Sequence, residues 1–125
     1  MADVQNSKLG KWLVIVPARL DSTRLPEKPL QDLAGKPLVV RVVENLAPLQ
    51  TLGADIVVAT DSHKITEVCQ KHQIKAQLTS PNHPSGTDRC WELAQKSNRP
   101  LILNVQGDEP FVPIADLTNL MASFE

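Results

Sequence analysis

An α/β unit built on a mostly parallel sheet is the fold class this sequence predicts, and three observations predict it. Apolar runs rich in β-branched residues recur at Trp12–Val16, Ala54–Thr60 and Leu101–Val105, as expected of strands buried on both faces. Between them lie stretches whose apolar residues repeat at helical spacing, so strands and helices alternate. The first and last of these runs pass directly into polar segments punctuated by proline or glycine, the places where open parallel sheets bind ligands. Right-handed crossovers follow from that order.

Trp12–Val16 is the first strand. The chain then enters PARLDSTRLPEKPL (Pro17–Leu30), where Pro17, Pro26 and Pro29 fix φ and remove donors, so the segment is expected to be neither helix nor central strand. Pro37 is placed as a first helical residue, ahead of Leu38, Val39, Val42, Val43 and Leu46 at helical spacing, with the helix ending near Pro48. Gly35-Lys36 is not a phosphate-binding P-loop, because the earlier glycine is absent and Pro37 stands where Ser or Thr is needed. After the second strand, Asp61-Ser62 offers an N-cap to a helix with Ile65, Val68, Cys69 and His72 on one face. A short strand around Lys75–Thr79 leads into SPNHPSG, a loop by its prolines, asparagine and glycine. SGTDR (Ser85–Arg89) opens a helix carrying Cys90, Leu93 and Ala94. The strand Leu101–Val105 runs into QGDEP (Gln106–Pro110), and from Pro113 a last helix carries Ile114, Leu117, Leu120, Met121 and Phe124 as its apolar stripe.

A length of 125 residues limits the chain to one folding unit, and 42% hydrophobic with 22% charged residues argues against disorder. With 13 Lys and Arg against 14 Asp and Glu, nothing draws the chain to nucleic acid or an anionic membrane, so any anion site is local. Two tryptophans, two phenylalanines and no tyrosine leave little to stack on single-stranded bases. Cys69 and Cys90 stand apart, outside any CxxC pattern, and read as reduced thiols on the core faces of helices. His63, His72 and His83 lack metal-ligand spacing. No apolar run is long enough to span a bilayer and the start has no signal-type apolar region, so a cytoplasmic location without a membrane partner is expected.

The chemistry concentrates at three loops. Arg19, Arg24 and Lys28 follow the first strand in a proline-constrained path, suited to a triphosphate because guanidinium groups grip phosphate oxygens in bidentate fashion and ammonium adds a point charge; the other reading is a solvated basic loop. In QGDEP, Asp108 and Glu109 stand just beyond a strand, with Gly107 permitting close backbone approach. A carboxylate facing a triphosphate needs a divalent cation between them, which makes Asp108 a candidate Mg²⁺ ligand, unless the pair only solubilises a turn. In SGTDR, Ser85 and Asp88 resemble a capping-box variant, while Gly86 at a helix start lets backbone groups approach a nucleotide. Arg89 either touches the ligand or anchors the loop.

PARLDSTRLPEKPL, ATDS (Ala59–Ser62), SGTDR and NVQGDEP (Asn104–Pro110), in this order and at these separations, resemble the 3-deoxy-manno-octulosonate (Kdo) cytidylyltransferases, from Trp12 onward. The resemblance implies a Rossmann-like sheet of the nucleotide-diphospho-sugar transferase type, cut short, with residues 1–11 a flexible lead-in and 12–125 the nucleotide-binding portion. It implies transfer of CMP from CTP to Kdo, giving CMP-Kdo and pyrophosphate for lipopolysaccharide biosynthesis. Pro17, Ala18, Arg19, Arg24 and Lys28 would bind the nucleotide with Ser85, Gly86, Thr87 and Gln106. Arg19, Lys28 and Asp108 would be the catalytic group, with Asp108 on Mg²⁺. Asp88 departs from the family's more usual glutamate, and the family's second metal carboxylate, sugar-binding residues and much of its dimer contact lie in a segment beyond this chain. CTP and Kdo are the expected partners and a homodimer the expected state of the full-length protein; these residues alone are expected to be inactive. An 8-amino Kdo analogue, another acid sugar, or CTP binding without catalysis are the alternatives.

Overall fold

The computed structural model of the protein describes residues 9–20, 27–80, 86–107 and 109–124. In chain order its elements are β1 (Trp12–Pro17), β2 (Asp32–Leu33), β3 (Lys36–Pro37), α1 (Leu38–Asn45), α2 (Ala47–Thr51) and β4 (Asp55–Thr60). There follow α3 (His63–Lys71), β5 (Ala76–Leu78), α4 (Gly86–Ala94), β6 (Leu101–Asn104) and α5 (Ile114–Ala122). β1, β4, β5 and β6 form one four-stranded sheet in the order β5-β4-β1-β6, and every pairing in it is parallel.

Both faces of β1 are buried, as its unbroken apolar sequence requires. Side chains alternate across a strand, so Trp12, Val14 and Val16 join Ile56 and Val58 on one face, under Val39, Val40, Val42, Leu46, Leu49, Ile65, Cys69 and Met121. Leu13, Ile15, Val57 and Ala59 take the other face, against Cys90 and Leu93 of α4. The two thiols therefore lie in the core on helix faces and are unpaired.

β4 and β5 lie on one side of β1 and β6 on the other. The chain thus reverses its direction across the sheet between β1 and β6, and such a reversal opens a crevice at the carboxyl ends of those two strands.

Several boundaries differ from the sequence expectation for identifiable reasons. The helix after Pro37 does not run to Pro48 but stops at Asn45, since Pro48 has no N–H and its ring would crowd the carbonyl of Glu44. Pro48 instead sits in the first turn of α2, where its N–H would be unpaired in any case. His72 is exposed at the end of α3 rather than on its buried face. The last strand ends at Asn104, although Val105 remains buried. Gly35-Lys36, excluded above as a P-loop, belongs to the β2–β3 hairpin, whose two connecting residues Ala34 and Gly35 have φ of 54° and 97°. Of the expected lead-in, residues 1–8 lie outside the described residues, while Leu9 is buried and its N–H donates to the Leu52 carbonyl at 2.7 Å.

Candidate functional site

The loops leaving β1 and β6 touch. Ala18 continues the parallel ladder by donating its N–H to the Ala59 carbonyl at 2.9 Å, and Val105 does the same to Ile15 at 3.0 Å. Two residues further, Gly107 is buried so closely against the first loop that a Cβ there would stand 2.5 Å from the Pro17 carbonyl oxygen and 3.4 Å from the Ala18 Cβ. Only glycine fits, so QGDEP is seated directly on Pro17-Ala18. Pro17 and Ala18 are buried, whereas Arg19 and Gln106 reach the surface beside this contact. The Glu109 N–H donates to the Gln106 carbonyl at 3.2 Å, turning the chain back sharply; Asp108, between them, lies outside the described residues.

The cationic loop is pinched at its base. Glu27 donates its N–H to the Leu20 carbonyl at 2.7 Å, which brings the residue before Lys28 back beside the residue after Arg19. Arg24 lies outside the described residues. No helix was expected here, yet Lys28–Leu30 makes one 3₁₀ turn. Pro29 is buried in it, and its fixed φ suits a first helical position. Glu27 enters the turn at φ 58°, and its carboxylate lies 3.6 Å from Lys64 Nζ of α3. Lys28 is half-buried.

On the other flank, Thr60 ends β4 with its hydroxyl accepting from the Ser62 N–H at 3.1 Å. Ser62 caps α3 as expected, its hydroxyl accepting from Lys64 N at 3.2 Å. Arg89 anchors this flank. It is fully buried and its Nη1 donates to Thr79 Oγ1 at 2.5 Å and to the Ser80 carbonyl at 3.3 Å. Its Nη2 stands 3.7 Å from the Asp61 carboxylate. Glu92, one turn on, accepts the Ser80 N–H at 3.0 Å. Gly86 and Thr87 form the first turn of α4 at this edge, and Ser85 lies outside the described residues. Asp61 was expected only as part of the N-cap pair, and Thr79, Ser80 and Glu92 carried no site role in the sequence; their signal was a run of polar residues just past two strand ends and an Arg–Glu pair one helical turn apart.

Among the described residues no cluster of three or more His, Cys, Asp or Glu side chains is placed to hold a metal, and no helix is long and apolar enough to cross a membrane. Burial pushes the Cys69 and Cys90 thiols up to about 11, with Arg89 opposing the rise at Cys90. Neither is a nucleophile near neutral pH.

A parallel sheet whose reversal point carries the loop of Arg19 and Lys28 on one strand and a glycine-seated turn on the other is an open α/β fold with a ligand crevice at that point. Residues 13–125 match the family model for cytidylyltransferases, and the chain belongs to that family. It is 53% identical over 111 residues to the 3-deoxy-manno-octulosonate cytidylyltransferase of Polynucleobacter necessarius subsp. necessarius (strain STIR1), covering 86% of this chain and 43% of that protein. The enzyme of the same name from Polynucleobacter asymbioticus is 52% identical over 118 residues, covering 92% and 45%. Among solved structures, CMP:2-keto-3-deoxy-manno-octonic acid synthetase complexed with CTP superposes with a TM-score of 0.85 at 38% identity, over 90% of this chain and 46% of that one. The chain thus spans less than half the length of these relatives.

Proposed function

We propose that this chain forms the CTP-binding portion of an enzyme that transfers CMP from CTP to Kdo, releasing pyrophosphate and supplying CMP-Kdo for lipopolysaccharide assembly in the cytoplasm. The observation that carries the reading is the seating of Gly107 on Pro17, which joins the cationic loop and the acidic turn at the reversal point of the sheet. In the reaction the anomeric hydroxyl of Kdo attacks the α-phosphorus of CTP; the bond to the bridging oxygen breaks and pyrophosphate leaves. Arg19, Arg24 and Lys28 neutralise the phosphates, and the buried Pro17-Ala18 backbone with Gly86 and Thr87 bounds the nucleotide. Gln106 lies beside the reacting centre. Such a site works by orientation and charge neutralisation rather than by covalent chemistry.

Asp108 and the exposed Glu109 offer oxygen ligands of the type Mg²⁺ takes, one or two carboxylates with the remaining positions left to phosphate and water. When bound there, the ion supplies charge neutralisation on the phosphates. A homodimer is the proposed state of the full-length protein.

The test is pyrophosphate release on mixing CTP, Mg²⁺ and Kdo with the chain joined to a continuation of the kind its relatives possess, beside calorimetric titration of CTP into the chain itself. Binding to the chain and release by the longer protein are expected. Binding without release in either would point to a CTP-binding module, release only with an 8-amino analogue would change the acceptor, and no binding at all would overturn the reading.

A further inference from the structure

We propose that Arg89 is a positioning residue of the nucleotide site, setting where the first turn of α4 stands relative to the carboxyl ends of β4 and β5. The inference rests on the reading of this edge as a CTP site, and deepens it by assigning a residue that does not itself touch the nucleotide.

The geometry is that of a clasp. Arg89 lies in the opening turn of α4, and its Nη1 is shared between Thr79 Oγ1 and the Ser80 carbonyl just past β5, while Nη2 faces Asp61 just past β4 at 3.7 Å. Glu92 returns a second bond to the same segment through the Ser80 N–H. Three chain segments from different elements thus meet on one planar fork, which a flexible single-headed ammonium cannot reproduce. Thr79 is itself held to Thr60 by a backbone bond of 2.8 Å, so the clasp acts on the strand next to β1, whose end carries Pro17-Ala18.

Stability alone is a weak account of this residue. A fully buried guanidinium pays a large desolvation cost, and here Nε and Nη2 have no hydrogen-bond partner, leaving the ion pair with Asp61 beyond hydrogen-bond reach. Replacing a buried ion pair as a whole by apolar residues of similar volume is often neutral for stability, so the pair is weak evidence of a purely stabilising role. What an apolar residue cannot do is fix direction and separation among three backbone segments. Placement of a substrate-facing helix turn is sensitive to such shifts, because a misplacement of about 1 Å can cost on the order of 100-fold in rate.

The experiment compares the chain with Arg89→Met and Arg89→Lys by thermal unfolding, calorimetric CTP titration and amide hydrogen exchange. Arg89→Met is expected to melt at a lower temperature yet stay folded at the temperature of the titration, to bind CTP roughly tenfold or more weakly, and to exchange faster at Ser80 and in the first turn of α4 while β1 and β4 stay protected. Arg89→Lys, with the charge but not the fork, is expected to share the local exchange and most of the affinity loss. Unchanged CTP affinity in either folded variant would overturn the proposal, as would a weakening that merely follows faster exchange throughout the sheet. If Arg89→Met fails to fold, Arg89→Lys decides by the same criteria. A parent chain that binds no CTP would instead bring down the cytidylyltransferase reading and this proposal with it, an outcome distinct from intact parent binding that the variants leave unaltered.

Discussion

At the scale of single residues the proposed site turns on two opposite properties, the absence of a side chain at Gly107 and the presence of a charged one at Lys28. Gly107→Ala would push a methyl to within 2.5 Å of the Pro17 carbonyl oxygen, and a backbone atom cannot rotate away. The strand ends would have to separate, so we expect a loss of about 1–3 kcal/mol in urea unfolding together with weakened CTP binding; an alanine variant of parent stability would show that the loops are not rigidly seated. Lys28→Ala leaves no cavity in the sheet, since the residue sits in the 3₁₀ turn outside it. If Lys28 makes the proposed charge-assisted phosphate contact, its loss should weaken CTP binding roughly 10- to 100-fold with an unchanged circular dichroism spectrum, and affinity within a few-fold of the parent would return this lysine to the surface. The thiols give a pH signature. Their folded values of about 11 exceed the ordinary 9.0, so folding favours the protonated form. That contribution is complete below pH 9 and is lost as pH rises through 11. Unfolding midpoints should therefore fall across that window, with Cys69→Ala/Cys90→Ala flattening the dependence, and Ellman's reagent should react slowly with the folded chain at pH 8.

At the scale of elements, the short hairpin shows how local chemistry serves the site at a distance. Two connecting residues with positive φ make the turn that matches the strand twist, but the first of them is Ala34, which pays for the left-handed conformation. Arg41 compensates from α1, donating through Nε to the Leu33 carbonyl at 2.9 Å and through Nη2 to Ala34, and Gly35 N–H donates to Asp32 at 3.2 Å. Ala34→Asn would supply the Asn-Gly pair the turn prefers, and we expect stability to rise by about 1 kcal/mol, read as a higher melting temperature. A lower one would mean that Ala34 is held in place by contacts a larger side chain disturbs. The α1–α2 break has a similar local origin in Pro48, and the chain absorbs it because Leu46 and Leu49 on either side are both fully buried.

At the scale of the whole molecule, two buried or half-buried arginines hold opposite edges of the sheet. Arg99 Nη1 donates to the carbonyls of Gly10, Trp12 and Gly53 at the amino edge, while Arg89 clasps the carboxyl edge. The apolar surface is less evenly managed. Phe111 is 81% exposed, Phe124 63% and Leu120 47%, all on α5 or beside it, and Phe124 stacks on Trp12 at a centroid distance of 6.1 Å. Met121 alone of the α5 stripe is fully buried. Apolar surface of this kind favours association, so the chain should sediment as a concentration-dependent mixture, and Phe111→Ser with Leu120→Lys should shift it toward the monomer. A parent that remains monomeric at high concentration would count against this.

The sequence by itself determined the alternation of strands and helices, the burial of β1 on both faces, the Ser62 cap and the core placement of both cysteines. Each of these is written in apolar period or in capping chemistry, which act over a few neighbouring residues. It also marked Arg19, Lys28, Gly86 and Gln106 as belonging to one edge, because loops that follow parallel strands share an end of the sheet. Only the tertiary structure decided the strand order, and with it the reversal between β1 and β6, since pairing partners are chosen by packing across the whole sheet rather than by local pattern. The same holds for Gly107, whose glycine is required by the Pro17 carbonyl of a loop some ninety residues away. It holds too for Arg89, whose two readings were equal in the sequence until burial and its bonds to Thr79 and Ser80 showed it to be an anchor. Long-range contacts leave no periodic trace in the residues that make them.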